Sequence, residues 1–241
     1  MLSGITTEQM IEVDRIMMED LQIPVELMME HAGLNLASLV SQREGEILIV
    51  VGSGNNGGGG LVCARRLLSW GRDVTLFIPK GIDHLREVPK RQFERLSHFQ
   101  LKVIESSEQM SETINQYDIC VDAFIGYGFT NTPDENAMTV FELMKKVEIL
   151  ICLDSPSGVN TSSGENFSRF NPEATCTIAY PKTGHLKDGT NLGDFYLIDI
   201  GVPKWVFEKM VGKTDLLDTL YRKFEKGSLI KIVKEDNYFT P

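Results

Sequence analysis

The chain has 241 residues, of which 42% are hydrophobic, and its formal net charge is -10 at pH 7. This length can bury a full hydrophobic core, so the composition excludes a mainly disordered chain. The acidic balance argues against wide contact with nucleic acid or with an anionic membrane, because both bind clustered basic residues.

Short apolar runs alternate with helical patterns along most of the chain. The first run, Ile47–Val51, is continuously aliphatic, as a strand buried on both faces requires. The predicted strands cover residues 47–51, 74–78, 101–104, 117–125, 149–153, 174–179 and 195–200, and the predicted helices cover residues 6–17, 24–39, 61–70, 88–97 and 137–147. Strands that alternate with helices predict right-handed crossovers and a doubly wound, mostly parallel α/β sheet.

No low-complexity linker or internal repeat divides the chain, so we predict one main domain over residues 1–212. Residues 213–241 form a polar C-terminal extension, which we expect to be helical and then extended. This extension is expected to dock either on the core or on a partner.

Four cysteines, Cys63, Cys120, Cys152 and Cys176, all lie in apolar runs and form no C-x-x-C pair. This pattern predicts buried, reduced thiols and therefore a reducing compartment. The first residues lack the basic and apolar regions of a signal peptide, and no apolar stretch is long enough to span a bilayer. We therefore expect a cytoplasmic protein.

A glycine-rich segment, Gly52–Gly60, directly follows the first predicted strand and opens the next helix. Glycines let the backbone approach a ligand closely, and free amides at a helix N-terminus favour phosphate. Gly52, Gly54 and Gly57 also match G-x-G-x-x-G, which is a weak motif alone and a stronger one between a strand and a helix. A flexible turn is the alternative. The second strand leads to Lys80, without the acidic residue that binds ribose in an ordinary Rossmann dehydrogenase.

Three further polar segments follow predicted strands or end them. Asp122 lies within an aliphatic strand, where an unpaired carboxylate costs roughly 3–5 kcal/mol, so a cation, an amide donor or a substrate should lie close to it. The alternative is a carboxylate that caps a neighbouring loop. Asp154 and Ser157 offer oxygen atoms after another strand, although Ser157 can equally be a turn cap. Asn56, Asp122 and Ser157 can converge as ligands of a hard cation.

The last segment, Tyr180–His185, contains Lys182, which can neutralise a phosphate or take part in proton transfer. A solvated lysine is the alternative, and His185 is similarly ambiguous. The chain contains no H-E-x-x-H or Walker motif and no catalytic triad order.

Taken together, these segments resemble the YjeF N-terminal domain family, the NAD(P)H-hydrate epimerases, over residues 5–210. The matching motifs are Met28–Gly33, Gly52–Gly60, Val121–Gly126, Asp154–Gly158, Pro181–Gly184 and Asp199–Pro203. The resemblance implies a three-layer α/β/α Rossmann-like sandwich that forms a homodimer. It also implies epimerisation of the R and S hydrates of NADH and NADPH (NADHX and NADPHX) at C6 of the nicotinamide ring, which allows a separate dehydratase to repair the S form.

The resemblance also implies roles for individual residues. A potassium ion would be held by Asn56, Asp122 and Ser157, and Asp122 with Lys182 would handle protons. The residues expected to contact the nucleotide are Asn55, Asn56, Gly57, Gly58, Gly59, Gly126, Tyr127, Gly128, Phe129, Thr130, Asn131, Thr132 and Asp154.

This chain departs from the family pattern at Gly59, where the family has aspartate. Loss of a charged hydrogen bond at this position would cost roughly 1–3 kcal/mol of ligand affinity. A non-catalytic nucleotide-binding or scaffold protein on the same fold is therefore the alternative to an epimerase. An NAD-dependent oxidoreductase is a weaker alternative, because the acidic residue after the second strand is missing.

Overall fold

The computed structural model describes residues 3–129, 132–235 and 238–241. The strands are β1 (Ile47–Val51), β2 (Val74–Phe77), β3 (Lys102–Ile104), β4 (Ile119–Ala123), β5 (Ile149–Leu153), β6 (Ala174–Ile178), β7 (Asp194–Ile198), β8 (Leu229–Lys231), β9 (Val233–Lys234) and β10 (Phe239–Thr240). The α-helices are α1 (Thr7–Arg15), α2 (Val25–Val40), α3 (Asn55–Ser69), α4 (Glu87–Glu94), α5 (Ser107–Thr113), α6 (Glu135–Met144), α7 (Lys204–Val211) and α8 (Asp215–Phe224). A π-helical turn, Ile16–Asp20, follows α1.

Within the described residues, eight strands form one sheet in the order β3-β2-β1-β4-β5-β6-β7-β8. The pairs from β3 to β7 are parallel, and β8 is antiparallel to β7. The chain builds outward from β1 to β3 on one side and from β4 to β7 on the other. The strand order therefore reverses between β1 and β4, where open α/β sheets form their ligand crevice.

Alternate residues of β1 pack into two separate hydrophobic cores. Ile47, Ile49 and Val51 join the core shared with α1, α2, α3, α7 and α8. Leu48 and Val50 join the core shared with α5 and α6 on the opposite face. Helices thus cover both faces of the sheet, which confirms the predicted three-layer α/β/α architecture.

Several boundaries differ from the sequence prediction. Helix α3 begins at Asn55 rather than at Leu61, so the later glycines of the motif lie inside the helix. A Cβ atom on Gly60 would lie 2.5 Å from the Cβ of Ala123. Close packing of α3 on the sheet therefore outweighs the poor helix propensity of glycine, which is about 1 kcal/mol per residue relative to alanine. Helices α5 and α7 were not predicted.

The C-terminal extension packs on the main core. Strand β8 adds to the edge of the sheet, and Leu217, Leu220 and Phe239 are completely buried. The rings of Phe239 and Phe195 lie with their centroids 5.2 Å apart. The structure therefore shows a helix and then extended chain docked on the core, while the boundary at residue 212 stays a prediction.

All four cysteines are free and buried, and burial raises the pKa of each thiol. They are therefore core residues rather than nucleophiles. Among the described residues, no helix combines the length and apolarity needed to cross a membrane.

Candidate functional site

A cavity of about 570 Å³ opens at the point where the strand order reverses. Its wall contains chain that follows β1, β2, β4, β5 and β6, together with residues of α1 and α2. A cavity at this position and of this size can hold a large part of a nucleotide.

Two glycines at the junction of β1 and α3 have no space for a side chain: Gly52 in the turn and Gly57 in the first turn of the helix. A Cβ atom on Gly52 would collide with the carbonyl oxygen of Phe124, and one on Gly57 would collide with the carbonyl oxygen of Gly52. The first residues of α3 consequently lie tightly against the carboxyl end of β4. No side chain caps this helix N-terminus, and Gly54 and Asn55 line the cavity. Its amides are available to an anionic group.

Asp122 and Ser157 form a compact cluster behind the cavity. Asp122 is completely buried, and its Oδ2 accepts a hydrogen bond from the Ser157 amide at 2.7 Å. Its Oδ1 accepts from the Ser157 hydroxyl at 2.5 Å and from the Phe124 amide at 3.1 Å. Burial raises the pKa of the Asp122 carboxyl, while these hydrogen bonds oppose that shift.

This cluster holds the carboxyl end of β4 against the chain that follows β5. The carboxylate therefore caps a neighbouring loop, which is the alternative given for Asp122 in the sequence analysis. Among the described residues, neither Asp122 nor Ser157 belongs to the cavity wall. The predicted role of Asp122 in proton transfer stays a prediction.

Asp154 and Lys182 form a buried ion pair in the cavity wall, with exposed fractions of 2% and 0%. Lys182 also donates to the Ile178 carbonyl oxygen at 2.8 Å and to Thr177 Oγ1 at 3.1 Å. The second oxygen of Asp154 accepts from the Tyr127 amide at 2.8 Å. The alternative of a solvated Lys182 is therefore wrong.

The backbone of Asp154 is in the left-handed region, with a φ of +68°. Aspartate and asparagine enter this region more readily than other residues with a Cβ atom. The turn directs one carboxylate oxygen to Lys182 and the other to Tyr127, on two different segments. The strained backbone is thus part of what positions the ion pair.

His185 lies beside this pair and is completely buried. Its Nδ1 accepts a hydrogen bond from the Lys182 amide at 3.3 Å, and burial lowers the pKa of the imidazole to about 3. A neutral, buried histidine of this kind supports the Lys182 loop rather than transferring protons.

Asn56 is the polar residue of the wall with the largest unmet hydrogen-bonding capacity. Both polar atoms of its amide are closed off from solvent and have no partner among the described residues. A Cβ atom on Gly126 would lie 3.1 Å from Asn56 Oδ1 and 3.0 Å from Asp154 Oδ2, so these groups lie close together. Buried polar groups are nearly always hydrogen-bonded, so the Asn56 amide is suited to bind a ligand or an ion at this place.

Two features of the cavity were missed by the sequence analysis. The first is Asp14, which lines the wall and accepts a hydrogen bond from the Tyr127 hydroxyl. The spacing of Met10, Asp14 and Met17 places this carboxylate on an apolar face of the first predicted helix, and that pattern was the available signal.

The second missed feature is a pair of basic residues, Lys80 and Arg86, at the side of the cavity near β1 and β2. Both side chains are exposed, and neither forms an ion pair with another described residue. The backbone amide of Arg86 donates to the Ser53 carbonyl oxygen at 3.0 Å, which holds Arg86 beside the glycine turn. This side of the cavity therefore attracts anions.

The structure brings most of the predicted nucleotide contacts together. Those in the cavity wall are Asn55, Asn56, Gly59, Gly126, Tyr127, Gly128, Phe129, Thr132 and Asp154. Among the described residues, Gly57 and Gly58 are buried within α3 and lie outside this wall. Thr130 and Asn131, also predicted as nucleotide contacts, lie outside the described residues.

Comparison with known proteins gives the same family as the motifs. The model of the family described as "YjeF-related protein N-terminus" matches residues 25–184. An NAD(P)H-hydrate epimerase of Dehalogenimonas lykanthroporepellens is 34% identical over 216 residues, which cover 86% of each chain. One of Elusimicrobium minutum is 30% identical over 221 residues, which cover 87% of this chain and all of that protein.

The fold also matches a solved structure. The crystal structure of the yeast protein ynu0 superposes with a TM-score of 0.77 and 23% sequence identity, over 95% of this chain and all of that chain. At this identity the likeness concerns the fold, and the sequence matches supply the relationship. With the motifs in order around one cavity, this chain belongs to the YjeF-related protein N-terminus family.

Proposed function

We propose that this protein is an isomerase that interconverts the R and S hydrates of NADH and NADPH. The observation that carries the proposal is the cavity itself, where the uncapped α3 N-terminus, Asn56 and the Asp154–Lys182 pair meet in a chain of this family. Relatives named NAD(P)H-hydrate epimerase match over most of their length.

The charges in the wall support one orientation for the nucleotide. The α3 N-terminus, Lys80 and Arg86 form a cationic side that suits the phosphates. The other side contains Tyr127 and the Asp154–Lys182 pair. An uncharged, hydroxylated ring fits this second side, where hydrogen-bonding groups can orient it and the buried wall excludes bulk water.

We also propose that a potassium ion is held by Asn56, Asp122 and Ser157. The amide oxygen of Asn56 has no partner among the described residues, which suits a hard cation. The Asp122 carboxylate and the Ser157 hydroxyl would supply the other oxygens, since a carboxylate oxygen that accepts one hydrogen bond keeps a second lone pair. Bound there, the ion would offset the charge of the substrate phosphates. Potassium should raise the melting temperature more than an equal concentration of tetramethylammonium, and an Asn56→Leu variant should lose this difference.

The epimerase activity can be tested by coupling. NADHX enriched in the R form is supplied with an excess of a dehydratase specific for the S form, and recovery of NADH is recorded. The protein should accelerate recovery well above spontaneous epimerisation. A rate equal to the spontaneous rate, with a folded protein that binds NADP⁺, would refute the proposed reaction.

A second candidate function is a non-catalytic nucleotide-binding or scaffold protein, and Gly59 is the observation that favours it. Gly59 lines the cavity without a side chain, and a Cβ atom there would lie 2.8 Å from Leu153 Cδ2. The Gly59→Asp variant separates the two functions. Turnover that appears only in this variant would favour the scaffold function, whereas turnover in both proteins favours the epimerase.

We further propose that the protein acts in the cytoplasm as a homodimer. Its product, the S hydrate, would be the substrate of a separate dehydratase. The buried, free cysteines support a reducing compartment. A relative in Thermofilum pendens named bifunctional NAD(P)H-hydrate repair enzyme supports coupling to a second activity, and this chain spans 40% of that protein. The exposed Leu27 supports an interface on α2, which light scattering can test.

A further inference from the structure

Three carboxyl groups line the described part of the cavity wall: Asp14, Asp134 and Asp154. Asp134 is exposed and caps α6, since its Oδ1 accepts from the Ala137 amide at 2.7 Å. Asp154 uses one oxygen for Lys182 and the other for the Tyr127 amide. Asp14 is the half-buried carboxyl of the three, and one of its oxygen atoms accepts no hydrogen bond from another described residue.

The two oxygens of Asp14 have different surroundings. Oδ2 accepts from the Tyr127 hydroxyl. Among the described residues, Oδ1 has no hydrogen-bond partner, and it is not closed off from solvent. An oxygen that is free, accessible and in the wall of the cavity is placed to exchange a proton with a bound ligand.

Contacts between distant segments fix the position of Asp14. The amide of Ile5 donates to the Pro181 carbonyl oxygen at 2.9 Å, which attaches the chain before α1 to the Lys182 loop. The Thr161 hydroxyl lies 3.1 Å from the Thr7 hydroxyl and 2.9 Å from the Tyr127 carbonyl oxygen. Helix α1 and the Tyr127 segment are thereby joined, so the Asp14–Tyr127 pair is held before any ligand arrives.

The charged and titratable neighbours of Asp14 are Tyr127, Lys182 and Asp154. Burial raises the pKa of the Asp14 carboxyl, the Asp154 charge adds to this shift, and the Tyr127 hydrogen bond and the Lys182 charge oppose it. A carboxyl with a raised pKa retains its proton closer to neutral pH than an exposed one does, as a general acid requires.

We propose that Asp14 is the general acid of the epimerisation and donates its proton to the C6 hydroxyl of NAD(P)HX. This inference rests on the proposed function. The C6–O bond breaks with its electron pair, water leaves, and the ring-nitrogen lone pair forms an N1=C6 double bond. Water then adds to the opposite face of C6 and releases one proton to solvent, while Asp14 regains one from solvent. No net oxidation or reduction takes place.

The test compares Asp14→Asn with wild type in the coupled assay across a range of pH, after subtraction of the spontaneous rate. Loss of a general acid should lower kcat by about 100-fold or more, with KM changed little. Wild-type kcat should fall as pH rises through the pKa of Asp14, and Asp14→Asn should lack this dependence. Glu8→Gln is the matched control, because Glu8 is an exposed carboxylate on the same helix.

Tyr127→Phe gives a second, independent readout. Without the phenol donor, the pKa of Asp14 should rise further, so the decline of kcat should move to higher pH. If Asp14→Asn keeps kcat within threefold of wild type, or keeps the pH dependence, the role of Asp14 is refuted and the proposed epimerase function is not. A wild-type rate equal to the spontaneous rate would instead refute the proposed function, and this inference with it.

Discussion

Replacing Lys182 with methionine keeps an unbranched side chain of similar length and removes the charge that pairs with Asp154. The carboxylate is only 2% exposed, so water replaces little of the lost interaction with the ammonium group. Removing one partner of a buried ion pair typically costs about 3–5 kcal/mol. Two amides still donate to Asp154, from Tyr127 at 2.8 Å and from Ile178 at 3.3 Å, which places the expected loss near the lower value.

For a domain of this size, each kcal/mol shifts the melting temperature by about 2–4 °C, so Lys182→Met should melt about 6–12 °C below wild type. Scanning calorimetry or urea unfolding measures the change. Lys145→Met is the control, because the exposed Lys145–Glu142 pair should contribute less than about 1 kcal/mol.

The double variant Asp154→Asn/Lys182→Met should recover at least half of the lost stability, since asparagine tolerates the left-handed backbone and carries no charge. A melting temperature for Lys182→Met within 2 °C of wild type, or no recovery in the double variant, would show that the buried pair does not contribute the expected stability.

Three further predictions concern other parts of the molecule. Folding lowers the pKa of His185 to about 3, so below the ordinary pKa of histidine the unfolded chain binds one proton more than the folded chain. The free energy of unfolding therefore decreases by roughly 2 kcal/mol between pH 6.5 and 5. In urea unfolding, the His185→Gln variant should lack this decrease. Phe239→Ala should cost about 3–5 kcal/mol in the same assay, because the ring is completely buried. Replacing both Lys80 and Arg86 with glutamine should raise KM for NADPHX about five- to tenfold more than KM for NADHX. The reason is that NADPHX carries one more phosphate than NADHX, and the two cations would no longer attract it. Equal increases in KM for the two substrates would contradict this.

The sequence predicted those parts of the fold that depend on interactions between residues close together in the chain. The continuous aliphatic run Ile47–Val51 predicted a strand covered on both faces, and the structure buries all five of its residues. The glycine segment marked the turn after β1 correctly. It did not show that α3 already begins at Asn55, because tight packing of Gly60 on Ala123 comes from a strand far along the chain.

The candidate site shows the same division. Motif order identified Asn56, Asp154 and Lys182 as residues that meet at one cavity, and the structure places all three in its wall. Sequence could not show that both oxygens of Asp122 accept hydrogen bonds from Ser157, since that depends on the path of the chain after β5. Nor could it show that Asp14 reaches Tyr127, a contact between residues separated by 113 positions.

The left-handed backbone of Asp154 has a consequence for how such a protein can change over generations. Asparagine and glycine also tolerate this conformation, and each is one base change away from an aspartate codon. Either replacement would remove the carboxylate and leave the path of the chain intact. Such a single step would leave the Lys182 ammonium buried without its carboxylate, at the same cost of about 3–5 kcal/mol as the loss of the lysine. A lineage that no longer needed the chemistry would therefore be expected to lose the lysine charge together with the carboxylate. Descendants of such an event would be recognisable by asparagine or glycine at position 154 combined with an uncharged residue at position 182.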